Sequence, residues 1–136
     1  LEWMQKDYGV NIVLELLIYY LNFEMDPDKP LESLARRWFK GPLWNVLSGP
    51  TEVMFEAALK EAKEMNADGA IWWDQFSCRQ AGAVKLVQDA LAEGMGIPTV
   101  RIKCDITDPF YTTKEEMKRE LINFFEFLEI RNACKE

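Results

Sequence analysis

Asp68-Gly69-Ala70-Ile71-Trp72-Trp73-Asp74-Gln75-Phe76-Ser77-Cys78-Arg79-Gln80 is the stretch on which the reading of this chain turns. Asn66 to Gly69 is turn chemistry, Ala70 to Trp73 is a short apolar run, and polar residues come after it. These signals predict a buried strand that opens into a loop from Phe76 to Arg79. From Gln80 onward Ala83, Val84, Val87, Ala90 and Leu91 share one helical face, and Gly94 and Gly96 end the pattern. Upstream, after Ser48-Gly49-Pro50, a helix is predicted from the spacing of Met54, Phe55, Ala58, Leu59, Ala62 and Met65. Downstream, Pro98 to Cys104 reads as another strand and Asp105 to Thr112 as its loop. Thr113 with Glu116 is a capping box opening a last helix that carries Met117, Leu121, Phe124, Phe125 and Leu128.

Toward the start, Leu1 to Tyr8 reads as the tail of a helix ending at Gly9. Val10 to Leu17 is rich in Val, Ile and Leu and is expected to form a first buried strand. Its apolar run continues to Tyr20, so periodicity alone leaves a helix open. Asn22 to Pro30 is loop chemistry, and Leu31 to Phe39 is a short helix closed by Gly41-Pro42. The order of elements predicts an α/β three-layer sandwich with a parallel sheet of about three or four strands between helices, flavodoxin- or Rossmann-like. All 136 residues fall in one domain, without repeats or low-complexity segments.

Composition narrows the function. Apolar residues at 49% and charged residues at 29% give the profile of a folded globular protein. A net charge of -7, with 16 basic residues scattered among 23 acidic ones, opposes binding to nucleic acid or to an anionic membrane surface. The longest apolar stretch, Ile12 to Leu21, contains Glu15 and is too short to span a bilayer. Cys78, Cys104 and Cys134, odd in number and widely spaced, fit a reducing cytoplasm better than a disulfide framework. With no histidine, the chain has no His-based acid/base catalysis, no Ser-His-Asp triad and no His-containing zinc site of its own. The start at Leu1, inside a predicted helix, suggests a piece of a longer polypeptide.

In open α/β sheets ligands lie beyond the carboxyl ends of the strands. Three such ends are expected here, near Leu17 to Tyr20, at Asp74 to Gln80, and at Cys104 to Asp108. Cys78 stands between strand and helix, where helix-start amides favour a thiolate able to bind a soft metal or an iron–sulfur cluster. The plainer alternative is a small residue filling a tight turn. Cys104 faces the core by strand alternation, and Cys134 lies in the tail. Arg79 and Gln80 are placed to meet an anion or a carbonyl, or simply to be solvated. Asp105 and Asp108 are acid/base candidates that ordinary turn chemistry also explains. Trp72 and Trp73 should face opposite sides, and Glu15 is an unusual carboxylate in an apolar run.

The stretch Asp68 to Gln80, followed by Gly96-Ile97-Pro98-Thr99-Val100 and Cys104-Asp105-Ile106-Thr107-Asp108-Pro109, resembles the 2-hydroxyacyl-CoA dehydratase family, which includes benzoyl-CoA reductase-type subunits. The resemblance runs from about Tyr8 to Leu128, with Ser77-Cys78-Arg79-Gln80 its most specific piece. It implies one α/β domain, the C-terminal one, of a two-domain subunit that pairs with a related second subunit. It further implies an acyl-CoA thioester substrate, a [4Fe-4S] cluster held by cysteines, and an ATP-dependent activator that delivers one electron. Water then leaves a 2-hydroxyacyl-CoA through a ketyl radical anion, or, in the reductases, electrons enter an aromatic ring. Cys78 matches the cluster ligand of that domain; from their place on the rim, Ser77, Arg79, Gln80 and Asp105 are expected near the cluster or thioester. The family's other ligands belong to sequence upstream of these residues, so this polypeptide alone is expected to be inactive. A non-enzymatic flavodoxin-like binding module is the remaining alternative.

Overall fold

The computed structural model describes residues 2–16, 24–41, 44 and 48–134. Among them five helices accompany a two-stranded parallel sheet: α1 (Glu2–Tyr8), α2 (Pro30–Lys40), α3 (Thr51–Glu64), β1 (Ala70–Gln75), α4 (Val84–Met95), β2 (Thr99–Cys104) and α5 (Lys114–Ala133). A 3₁₀ turn, Arg79–Ala83, leads into α4.

Local chemistry sets most boundaries. Pro50 precedes α3, and Asn66, with φ of 50°, turns the chain out of that helix. α4 continues through Gly94 and ends at Gly96, whose φ of 65° lets Gly96 N donate to Ala92 O and Ile97 N to Leu91 O. α5 opens on the capping box: Glu116 N donates to Thr113 Oγ1 at 3.2 Å, and Thr113 N to Glu116 Oε2 at 2.8 Å.

β1 and β2 run parallel in the register Ala70↔Thr99 through Gln75↔Cys104. Side-chain alternation divides the interior between the two faces. Ala70 and Trp72 pack on one side with Met54, Ala83, Val87, Leu91 and Ile97 from α3, α4 and their flanks. Ile71, Val100 and Ile102 pack on the other with Met4, Leu121, Phe124 and Phe125. Helices therefore cover both faces of the strand pair. Gly69, just before β1, has no room for a Cβ, which would stand 2.9 Å from Leu128 Cδ1.

The expected first strand did not form. Residues 10–16 are irregular, and the proposed strand end at Leu17 to Tyr20 lies outside the described residues. In a strand, Val10 and Leu16 would point to the same face. Instead Val10 packs against the cluster that contains Ile102 and Phe125, and Leu16 against the one that contains Met54 and Leu91. The segment passes from one face to the other, leaving Ile12, Val13 and Glu15 exposed. Its apolar residues are shared between two clusters, which is incompatible with a ladder beside β1. Glu15 consequently carries no burial penalty. α2 also turns outward: Leu31, Leu34, Trp38 and Phe39 are exposed, while Ser33 is buried and accepts from Asp26 N at 3.0 Å.

Phe125 is among the most completely buried side chains, in ring contact with Trp3, Tyr8 and Phe124. Phe125→Ala should lower the unfolding free energy by about 3–5 kcal/mol, through lost burial and the remaining cavity. Urea denaturation measures this, and a loss below about 1 kcal/mol would contradict the packing described.

Candidate functional site

Because β1 and β2 are parallel and in register, both chains leave the sheet at the same edge, Gln75 beside Cys104. Phe76 N donates to Cys104 O at 2.9 Å, which extends the pairing by one residue. The Phe76–Arg79 loop and the Asp105–Thr112 loop thus start side by side. Phe76 and Tyr111 bring the two loops into ring contact, with centroids 5.2 Å apart.

Cys78 occupies the first loop and is half-buried. Its backbone is held on both sides: Cys78 N donates to Gln75 O at 3.0 Å, and Ala81 N to Cys78 O at 3.0 Å. The sulfur does not cap the 3₁₀ turn that begins at the next residue. Because that turn intervenes, the aligned amides of α4 begin only at Val84. The α-helix start expected beside Cys78 therefore lies further along the chain. Arg79 is exposed and Gln80 is buried, so these neighbours point to different environments.

Asp105 caps its own loop. Its Oδ1 accepts from Thr107 N at 2.8 Å, Thr107 Oγ1 at 2.8 Å and Gln75 Nε2 at 3.1 Å. The Thr107 backbone amide, then the Thr107 hydroxyl, hold this carboxyl below the ordinary aspartate range. At neutral pH Asp105 accepts hydrogen bonds and has no proton to give. Asp108 makes a plain turn, accepting from Phe110 N at 2.9 Å.

Burial, then the nearby charges of Asp74 and Asp105, push the Cys104 thiol above the ordinary value, and its Sγ lies 3.9 Å from Gln75 Oε1 as a donor. Cys134 is exposed at the far end of α5. There Arg131 donates to Asp68 O and Gly96 O, which precede the two strands, so Cys134 lies at the end of the sheet opposite Cys78. A shallow recess of about 250 Å³, lined by Lys63, Asn66, Asp68 and Arg131 among others, sits at that end too.

Two features of the rim are not among the expectations from sequence. Gln75 joins both loops, because its carboxamide reaches Ser77 on one side and Cys104, Asp105 and Ile106 on the other. Buried Asp74 is met diagonally across the strands by Arg101, whose Nε and Nη2 approach Oδ2 at 2.7 and 2.6 Å. Oδ1 of Asp74 has no hydrogen-bond partner among the described residues. The parity of Asp74 with Trp72, and of Arg101 with Thr99, is the available signal for this pair. Gln75 offers none beyond its polarity.

No group of three His, Cys, Asp or Glu residues is arranged to hold a metal ion among the described residues. A four-iron cluster normally takes roughly three or four protein ligands. The described residues of this chain therefore do not complete a cluster site. No helix among them is long and apolar enough to cross a membrane.

The family described as 2-hydroxyglutaryl-CoA dehydratase, D-component, matches this sequence over residues 1–128. The chain belongs to that family. Members of the dehydratase family are components of enzymes, and the matched span takes in both strands, both rim loops and most of α5. No curated protein and no solved structure matched the chain.

Asp105 supplies a direct check on the rim. Because its folded value is lowered, the stability from its Thr107 and Gln75 contacts is present above the ordinary aspartate range and is lost as pH falls through the lower folded value. Carboxyl-carbon NMR titration should show Asp105 protonating at lower pH in the folded protein than in the urea-unfolded chain. Titration of folded Asp105 at or above its unfolded value would mean that the loop contacts are absent in solution.

Proposed function

We propose that this chain is the C-terminal α/β domain of a two-domain subunit of a 2-hydroxyacyl-CoA dehydratase, a lyase that removes water from a 2-hydroxyacyl-CoA thioester. Cys78 is its contribution to a [4Fe-4S] cluster whose remaining ligands come from other polypeptide. The observation that carries this reading is the place of Cys78. It is a half-buried thiol on the loop leaving β1, beside the loop leaving β2, in a chain of this family. Cys104, held as a hydrogen-bond donor to Gln75, and Cys134, at the opposite end of the sheet, are poorly suited to share that role.

On this reading the domain gives the rim its shape. Parallel pairing fixes the spacing of the two loops, and Asp105, ionised and with three donors on Oδ1, orders the second loop without moving a proton. Arg79, exposed beside Cys78, is available to an anionic or carbonyl group of an acyl-CoA. Gln80 is buried within the 3₁₀ turn. The family description names a dehydratase, which favours water elimination over the aromatic acyl-CoA reductase and over a non-enzymatic binding module. Partners on this reading are a related second subunit and an ATP-dependent activator, and three free thiols suit a reducing cytoplasm.

The test is anaerobic expression of the intact reading frame with its partner subunit, with and without Cys78→Ser. Iron content and the visible absorption of the cluster should fall in the variant, while far-ultraviolet circular dichroism stays unchanged. Equal iron and an unaltered spectrum would remove Cys78 from the ligand set.

A further inference from the structure

Gln75 is the last residue of β1, and a strand end needs no particular side chain to finish its ladder. Its carboxamide nonetheless uses its full capacity of two donors and two acceptor lone pairs. Nε2 donates to Asp105 Oδ1 at 3.1 Å and to Ser77 Oγ at 3.4 Å. Oε1 accepts from Ile106 N at 2.9 Å and from Cys104 Sγ at 3.9 Å. One contact is to the residue next to Cys78, and three are to consecutive residues, Cys104 to Ile106, where the other loop begins.

No aliphatic, hydroxyl or carboxylate side chain reproduces that set. A carboxylate keeps the two acceptors, but loses both donors and sets a negative charge against Asp105. A methionine of similar length loses all four contacts. The carboxamide donates to the Asp105 carboxylate from one end and accepts from the Ile106 amide at the other, and Cβ placement in register with Cys104 puts it between the loops.

We propose that Gln75 is a positioning residue that couples the two rim loops, so that the Asp105 loop helps to set where the Cys78 sulfur stands. This deepens the function proposed above and rests on it for its consequence at the cluster. The coupling itself concerns only residues of this chain. Beyond the strand ends, Gln75 and the Phe76–Tyr111 ring contact tie the first loop to the second. An aromatic contact tolerates sliding, whereas hydrogen bonds to three successive residues fix direction.

A double-mutant cycle reads this directly. The full-length protein is prepared without iron, and alkylation of Cys78 by iodoacetamide is followed by peptide mass spectrometry. Cys134, at the other end of the sheet, is the internal reference. Gln75→Met and Asp105→Ala should each speed Cys78 alkylation several-fold relative to Cys134. The double variant should be no faster than Gln75→Met alone, because that change already removes the contact that Asp105→Ala removes. Gln75→Glu, which retains the acceptors, should match Gln75→Met at Cys78 and provides a second variant should the methionine fail to fold. Multiplying effects in the double variant, or unchanged Cys78 rates in both Gln75 variants, would overturn the coupling. With no iron in the assay, such a failure is distinct from a failure of Cys78 to ligate the cluster, which the iron content of Cys78→Ser reads separately.

Discussion

The parallel pairing of Ala70–Gln75 with Thr99–Cys104 is the constraint on which the other features depend. Twelve residues in this register do two things at once. Their alternating side chains divide the interior into a cluster under α3 and α4 and a cluster under α1 and α5. Their common direction brings two loops out at one edge, where an antiparallel pair would send them to opposite ends. Without the first the helices have nothing to cover, and without the second the loops that carry Cys78 and Asp105 have no reason to start side by side.

The two strand ends differ in what they hold. At the end where the strands begin, Arg131 of α5 bonds to the carbonyls of Asp68 and Gly96, which pins the helix to both turns. At the end where they finish, the contacts come from side chains of the strands and loops themselves: Gln75, Asp105, Thr107, Phe76 and Tyr111. Hydrophobic side chains there, including Ile106 and Phe110, stay exposed at 86% and 90%, so the rim is held mainly by polar contacts, with the Phe76–Tyr111 ring pair beside them.

Much of this is legible in the sequence because the signals are local and redundant. A Gly96 after a helical face, Thr113 with Glu116, and two apolar runs ending in polar loops each have a physical meaning that survives folding. The first strand is misleading because Val10 to Leu17 is apolar at every position but Asn11 and Glu15, and such a run does not say which face each residue will find. Here Val10 and Leu16 go to different clusters, which only the tertiary arrangement decides. The position of Cys78 after a strand can be read from the chain, but the expected α-helix start beside it gives way to a 3₁₀ turn. Gln75 is hard to single out because a polar residue at a strand end looks like turn chemistry; its cross-loop partners Cys104 and Ile106 lie 29 and 31 positions away in the chain.

Direct observation of the strand-end pairing tests all of this at its root. In a ¹⁵N,¹³C-labelled sample, a through-hydrogen-bond NMR coupling should link the Phe76 amide nitrogen to the Cys104 carbonyl carbon, whose atoms N and O are 2.9 Å apart. A resolved correlation between that pair is expected. A Phe76 amide that exchanges freely with solvent, or that couples to a carbonyl of any other residue, would contradict the register and with it the shared rim.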